Sequence, residues 1–287
     1  DRRDIEKLKG VKKIFAIGSD ISYLKNYPGL DGGIIANERK SLLRMLAMVK
    51  SRYKSSRYDQ RRLDTVNVAT RRRQNRRSLL MGEPENGKVR PLALVDAVSD
   101  SLEELGGGYI TDEQCAAPYD AVKPGLSDQN NTFLKAPGGS EGWGVGAAIG
   151  AKLAAQDVPV IGLVGDGSLY YADSGLWTSV HHNIPLLYVI PNNGAYGIVA
   201  GSFGKSGSRM ADTGRYEGVV LDGIDPVKIA EAFGLEGERV ENEGTLNEVM
   251  RRALKIVQDE HRPYLLDVRL PLGLPDGGIP NQQYRMR

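Results

Sequence analysis

Two short turns hold the residue types best suited to chemistry in this chain. Residues 165–168 read Gly-Asp-Gly-Ser, and residues 192–197 read Asn-Asn-Gly-Ala-Tyr-Gly. Asp166 offers a hard carboxylate oxygen, and Asn193 offers a neutral amide oxygen 27 positions later. Magnesium takes few protein oxygens in octahedral geometry and fills the rest of its shell with phosphate oxygens or water. One carboxylate, one amide and one backbone carbonyl therefore describe a site shared with a diphosphate. Gly167 and Ser168 lead towards a helix, whose free N–H groups favour phosphate. The bland alternative is that Asp166 and Asn193 are ordinary turn residues.

Each turn needs an element to present it. The first follows an apolar run at 158–164 (VPVIGLV) and the second follows one at 186–191 (LLYVIP). Continuous apolar runs of this length predict buried parallel strands. In an open parallel sheet, ligands sit at the carboxyl ends of the strands, where these turns lie. Apolar spacing predicts helices over 92–105, 142–156, 172–182, 226–233 and 246–258, and strands over 109–111 and 264–270. Strand and helix alternate, so the expected fold class is α/β, a parallel sheet flanked by helices.

The first 80 residues differ. Residues 11–19 (VKKIFAIGS) predict a short buried strand. Residues 41–53 predict a helix with Leu42, Leu43, Leu46 and Val49 on its apolar side. Residues 53–77 are polar, arginine-rich and without clear period. Residues 81–90 (MGEPENGKVR) predict a linker. The expected division is a partial α/β region over 1–80, that linker, and a main domain over 91–287.

The pattern of the two turns resembles a known family. A GDG, 24 intervening residues and then NN is the thiamine-diphosphate motif. The stretch GDGSLYYADSGLWTSVHHNIPLLYVIPNNGAYG is similar to the acetolactate synthase, benzoylformate decarboxylase and pyruvate oxidase group. The similarity runs from about residue 91 to 270 and includes DPVKIAEAFG and the closing PYLLDVRL. It implies thiamine diphosphate and Mg2+ as cofactors. Asp166 and Asn193 would be side-chain metal ligands, and Ala195 would give its backbone carbonyl. Gly167 and Ser168 would hold the diphosphate, with Gly165 in the same turn and Tyr196 near the diphosphate or thiazolium. Gln114 and Cys115 match positions that contact the diphosphate in relatives. Gly139 and Glu141 match positions that touch the aminopyrimidine through their backbone.

The implied activity is that of a lyase or transferase, a 2-oxo acid decarboxylase or carboligase, with this chain anchoring the cofactor's diphosphate. Two departures bear on that. Relatives usually place a bulky apolar residue where Glu141 stands. Their catalytic glutamate belongs to a separate pyrimidine-binding domain, for which the sequence shows no room, so no catalytic residue is assigned. The first 80 residues resemble a shortened middle domain, IFAIGSDISYL matching its first strand. The missing half of the site is expected from an upstream region or from another subunit, in a homo- or hetero-oligomer. The chain starts at Asp1 without methionine, which is not the expected natural start. The alternative function is a cofactor-binding subunit or fragment, inactive alone, with a structural or regulatory role. An oxidative branch using flavin or ferredoxin is a third reading, and a single cysteine argues against the iron–sulfur version.

Charge is uneven. Residues 1–90 hold 23 Lys and Arg against 10 Asp and Glu, whereas residues 91–287 hold 15 against 26. Arg71, Arg72, Arg73, Arg76 and Arg77 form the sharpest cluster. No nucleic-acid motif accompanies it, so a solvated basic face is the preferred reading and nucleic acid is not an expected partner. One cysteine excludes an intrachain disulfide and fits a reducing, cytoplasmic setting. No apolar run reaches the ~18 residues of a membrane helix. His181 and His182 lie late in a helix, away from the strand ends, and are read as surface or interface packing. Gly142–Gly146 (GWGVG) lacks the spacing of a dinucleotide fingerprint. Gly204-Lys205-Ser206 lacks the upstream glycine of a P-loop, since Val199 stands there.

Overall fold

The structure is a computed structural model that describes residues 11–25, 29–52, 56–81, 88–114, 116, 132–135, 140–221, 223–274 and 279–280. The chain divides into two units, residues 1–70 and 71–287. In the first, β1 (Phe15–Gly18) is followed by α1 (Ile21–Lys25), β2 (Gly32–Ile35) and α2 (Glu38–Arg52). The strands pair in parallel, with Phe15 beside Gly32. The Asn37 side chain accepts the Lys40 N–H at 3.0 Å and caps α2, and Glu38 accepts the Ser19 N–H at 2.7 Å. No residue of α2 is buried, and Leu42, Leu43, Leu46 and Val49 are all exposed. Helix α3 (Ser56–Met81) runs through the division between the units.

The second unit carries α4 (Pro91–Glu103), β3 (Tyr109–Glu113), β4 (Thr132–Lys135), α5 (Gly144–Ala154), β5 (Val160–Val164), the one-turn α6 (Asp166–Leu169) and α7 (Gly175–His181). Then come β6 (Leu187–Asn192), α8 (Gly197–Lys205), α9 (Arg209–Thr213), β7 (Arg215–Tyr216), α10 (Pro226–Ala232), β8 (Gly237–Val240), α11 (Glu243–Asp259), β9 (Tyr264–Arg269) and β10 (Ile279–Pro280). Six strands form one parallel sheet in the order β4-β3-β5-β6-β9-β8.

The sheet is buried on both faces, which is why β5, and β6 up to Pro191, carry apolar residues in succession rather than at alternate positions. One core gathers Leu94, Val98 and Leu102 of α4 with Leu246, Met250 and Leu254 of α11 over Ile161, Leu163, Leu187 and Val189. The other gathers Val145, Ala148 and Ile149 of α5 and Leu176 of α7 over Val160, Val164, Tyr188 and Ile190. Arg90, at the start of α4, ties that helix to α11 by a 2.6 Å ion pair with Glu243. From β3 the chain steps outward to β4, then crosses back to β5 and continues to β6 on the opposite side. The order thus reverses between β3 and β5, and a crevice opens above such a point at the strands' carboxyl ends.

The expected parallel α/β sheet is present. The observed elements end within three residues of the expected bounds, except that β1 begins four residues later than expected. The arginine-rich residues 53–77, read as aperiodic, lie mostly in α3. Of the expected linker, 82–87 lie outside the described residues. No helix among the described residues is long and apolar enough to cross a membrane.

Candidate active site at the strand ends

Three adjacent strand ends converge on one crevice. β3 ends in Glu113 and Gln114, β5 runs into Gly165 and Asp166, and β6 ends in Asn192. The Gly165 N–H donates to the Glu113 carbonyl at 2.9 Å, locking the first two ends together. Above them lies a cleft with about 690 Å³ of empty space. Gly165, Asp166, Gly167, Ser168, Asn193, Ala195, Tyr196 and Glu141 all line it. Eight of the residues expected at the site therefore share one cavity.

Asp166 begins α6 and is 3% exposed. Its Oδ2 accepts the Gly194 N–H at 2.9 Å, so the first turn holds the second. Gly194 makes that approach with φ +63°, in the left-handed region where glycine carries no steric penalty. Burial pushes the Asp166 carboxyl up to about 6. The N–H groups of Gly167 and Gly194 oppose that shift, and the nearby Asp267 charge adds to it. Among the described residues, no Lys or Arg ion pair meets this carboxylate. A buried carboxylate so placed fits a cation.

The second turn presents oxygens to the same space. Asn193 keeps its Oδ1 on the Ala195 N–H at 3.2 Å and its carbonyl on the Gly273 N–H at 2.9 Å. The Ala195 carbonyl accepts the Gly197 N–H at 2.8 Å and retains a second lone pair. Among the described residues, no cluster of three His, Cys, Asp or Glu side chains is placed to hold a metal alone. A cation bound here would draw the rest of its shell from outside those side chains, as the oxygens of a diphosphate allow.

On the other wall, the Ser168 hydroxyl donates to the Glu141 carboxylate. Glu141 sits on the turn before α5, and Glu113 fixes that turn. The Glu113 carboxylate accepts the Trp143 N–H at 3.0 Å and also the Gly144 N–H, filling two of the donors that a helix start leaves open. Burial holds the Glu113 carboxyl above the usual carboxylate range, against those N–H bonds. The Tyr196 ring covers Gly167 so closely that a Cβ there would stand 2.6 Å from it. Burial raises the Tyr196 phenol, with Tyr171, Asp166 and Glu141 adding to the shift.

Gln114 is 4% exposed, hydrogen-bonds to Asp112 and does not line the cleft. Cys115 and Gly139 lie outside the described residues. His181 and His182 are exposed; His181 stacks on Trp177 with ring centroids 4.5 Å apart, His182 meets that ring edge-on, and none of them lines the cleft.

Residues 124–268 match the model of the thiamine pyrophosphate enzyme C-terminal TPP binding domain. The chain belongs to the thiamine pyrophosphate enzyme family. The chain is 39% identical over 207 residues to the putative acetolactate synthase large subunit IlvX of Mycobacterium tuberculosis, covering 64% of the chain and 39% of that protein. It is 28% identical over 184 residues to the benzoylformate decarboxylase of Pseudomonas aeruginosa, covering 64% and 33%. Among solved structures, a Rhodococcus jostii thiamine diphosphate-dependent 4-hydroxybenzoylformate decarboxylase superposes with TM-score 0.69 at 25% identity, over 92% of this chain and 45% of that one. The chain thus covers under half the length of these relatives.

Several residues of the cleft carry no signal in the sequence. Tyr171, Pro191, Ile198 and Val199 also line it, and Ile198 and Val199 are exposed at its rim. Asp267 and Arg239 stand behind the second turn. A charged residue inside the apolar run PYLLDVRL was the available signal for Asp267, because a buried charge needs a partner.

Proposed function

We propose that this chain binds thiamine diphosphate with Mg2+ and belongs to a 2-oxo acid decarboxylase or carboligase. The observation that carries the reading is the buried Asp166 carboxylate, stapled through the Gly194 N–H to the turn of Asn193 and Ala195. In this reading Asp166, Asn193 and Ala195 hold the cation. Ser168 and the backbone of Gly165 and Gly167 receive the diphosphate, and Tyr196 packs beside it. Glu141 and its neighbours form the wall that meets the pyrimidine end. When bound, thiamine diphosphate supplies a carbon nucleophile able to labilise the carboxylate of a 2-oxo acid. The chain's own part is to fix the charged tail, exclude water with Ile198 and Val199, and aim the rings outward.

Relatives named acetolactate synthase and benzoylformate decarboxylase support both ligation and simple decarboxylation. In the same reading, residues 1–80 are a shortened middle domain, 81–90 a linker and 91–287 the diphosphate domain. The likeness to a solved decarboxylase covers 92% of the chain and so extends well beyond residues 124–268. A second reading is a cofactor-binding subunit or fragment that is inactive alone and has a structural or regulatory role. In the first reading, a pyrimidine-binding domain, in cis or from a partner subunit, completes the site within an oligomer.

The test is carbon dioxide release from pyruvate and from benzoylformate, with thiamine diphosphate and Mg2+. The chain alone is expected to turn over negligibly, and adding a pyrimidine-binding domain is expected to restore activity. Tight cofactor binding with no turnover in either setting would favour the second reading. Failure to bind the cofactor at all would end both.

A further inference from the structure

We propose that Asp267, held by Arg239, is a positioning residue for the cation site, acting through the Asn192 amide on the turn that carries Asn193 and Ala195. This rests on the reading of that turn as a metal site. Asp267 lies on β9 with no solvent exposure. One carboxylate oxygen accepts from Asn192 Nδ2 at 2.7 Å, and the other accepts from Arg239 Nε at 2.9 Å. Arg239 stands level with Asp267 on the neighbouring strand β8. Its guanidinium also pairs with Asp225 at 2.9 Å, and Asp225 accepts the Val227 N–H that starts α10. The fork is thus held at both tines.

The chemistry of these groups sets a direction. An ionised carboxylate only accepts, so Asn192 must turn its NH2 towards Asp267. Its Oδ1 is thereby left facing the turn, where it accepts the Gly194 N–H at 3.1 Å. That same N–H reaches Asp166 Oδ2 at 2.9 Å. One donor is shared between Asn192, which Asp267 orients, and Asp166, the anionic group of the site. Packing alone does not call for this arrangement. Asp267 sits between Leu266 and Val268, and an apolar residue would fill a buried sheet position without the desolvation cost of a charge.

The experiment uses the full 287-residue chain with thiamine diphosphate, and Mn2+ as the probe. Free Mn2+ is read by electron paramagnetic resonance, and folding by circular dichroism and thermal melting. Asp267→Asn can present an NH2 to Asn192 and removes the fixed orientation. Loss of outer-shell partners typically weakens metal affinity by ~10–100-fold, which is the expected loss in Asp267→Asn. Arg239→Lys keeps the charge but not the fork, and a loss of roughly tenfold is expected. Its side chain is 35% exposed, so this variant decides the matter if Asp267→Asn does not fold. Folded variants that melt at lower temperature yet bind Mn2+ as tightly as the parent would mean a purely structural network and would overturn the proposal. A parent chain that binds no Mn2+ with thiamine diphosphate would instead bring down the metal-site reading, and this inference with it.

Discussion

Ser168 donates its hydroxyl proton to the Glu141 carboxylate at the cleft wall. The donor expected to hold a diphosphate is therefore engaged by an internal anion. A hydrogen bond to a charged group contributes about 1.5–3 kcal/mol, enough to weaken a competing ligand by roughly tenfold or more. Glu141→Leu is expected to tighten thiamine diphosphate binding by about that factor. Titration of the cofactor against tryptophan fluorescence measures it. Weaker binding in the variant would mean that Glu141 holds the cofactor instead of competing with it.

Asp166 gives a pH dependence with a definite sign. Its carboxyl titrates near 6 in the folded, metal-free chain, against about 3.9 unfolded. Stability from a raised carboxyl is fully present below the unfolded value and is lost as pH rises through the folded one. Between about pH 4 and pH 6–7 the parent should therefore lose on the order of 2 kcal/mol relative to Asp166→Asn. Urea unfolding of both proteins at pH 4.5 and 7.5 measures the difference. The gap should favour the variant at pH 7.5 and shrink at pH 4.5. Cation affinity runs the other way, since a ligand must lose its proton to bind, and should fall as pH drops below 6. A variant no more stable than the parent at pH 7.5 would contradict the account.

Gly273 supports the second turn from outside the motif. A Cβ at Gly273 would stand 2.3 Å from Asn193 Nδ2 and 2.7 Å from its Cγ. Gly273→Ala should push the Asn193 amide from its seat. Mn2+ affinity is expected to fall by about tenfold, with thermal unfolding of the core little changed. Equal affinity in the variant would show that the Asn193 side chain is not needed at the site.

Much of this was legible in the sequence because burial writes a strong pattern. β5, and β6 up to Pro191, are apolar in succession, α11 is apolar on one side, and polar turns punctuate the strand ends. Spacing and residue type then brought Asp166 and Asn193 together. What was not legible lacked that pattern. Most of α3 reads as aperiodic: its described apolar residues Leu63, Val66 and Val68 are exposed, so no buried face imposes a period. β8 is an edge strand reading GERV, where charge conceals the strand. Arg239 and Asp267 are 28 residues apart and meet only when β8 pairs with β9. The Glu141–Ser168 contact likewise depends on how the turn before α5 folds back over α6.

In the proposed function Asp166 is the anionic ligand through which Mg2+ would hold the cofactor's diphosphate. Isothermal titration of thiamine diphosphate into the chain, with and without Mg2+, tests it in the parent and in Asp166→Ala. The account predicts Mg2+-dependent binding by the parent and its loss in Asp166→Ala, which lacks the site's anionic ligand. Unchanged, Mg2+-dependent affinity in Asp166→Ala would contradict it.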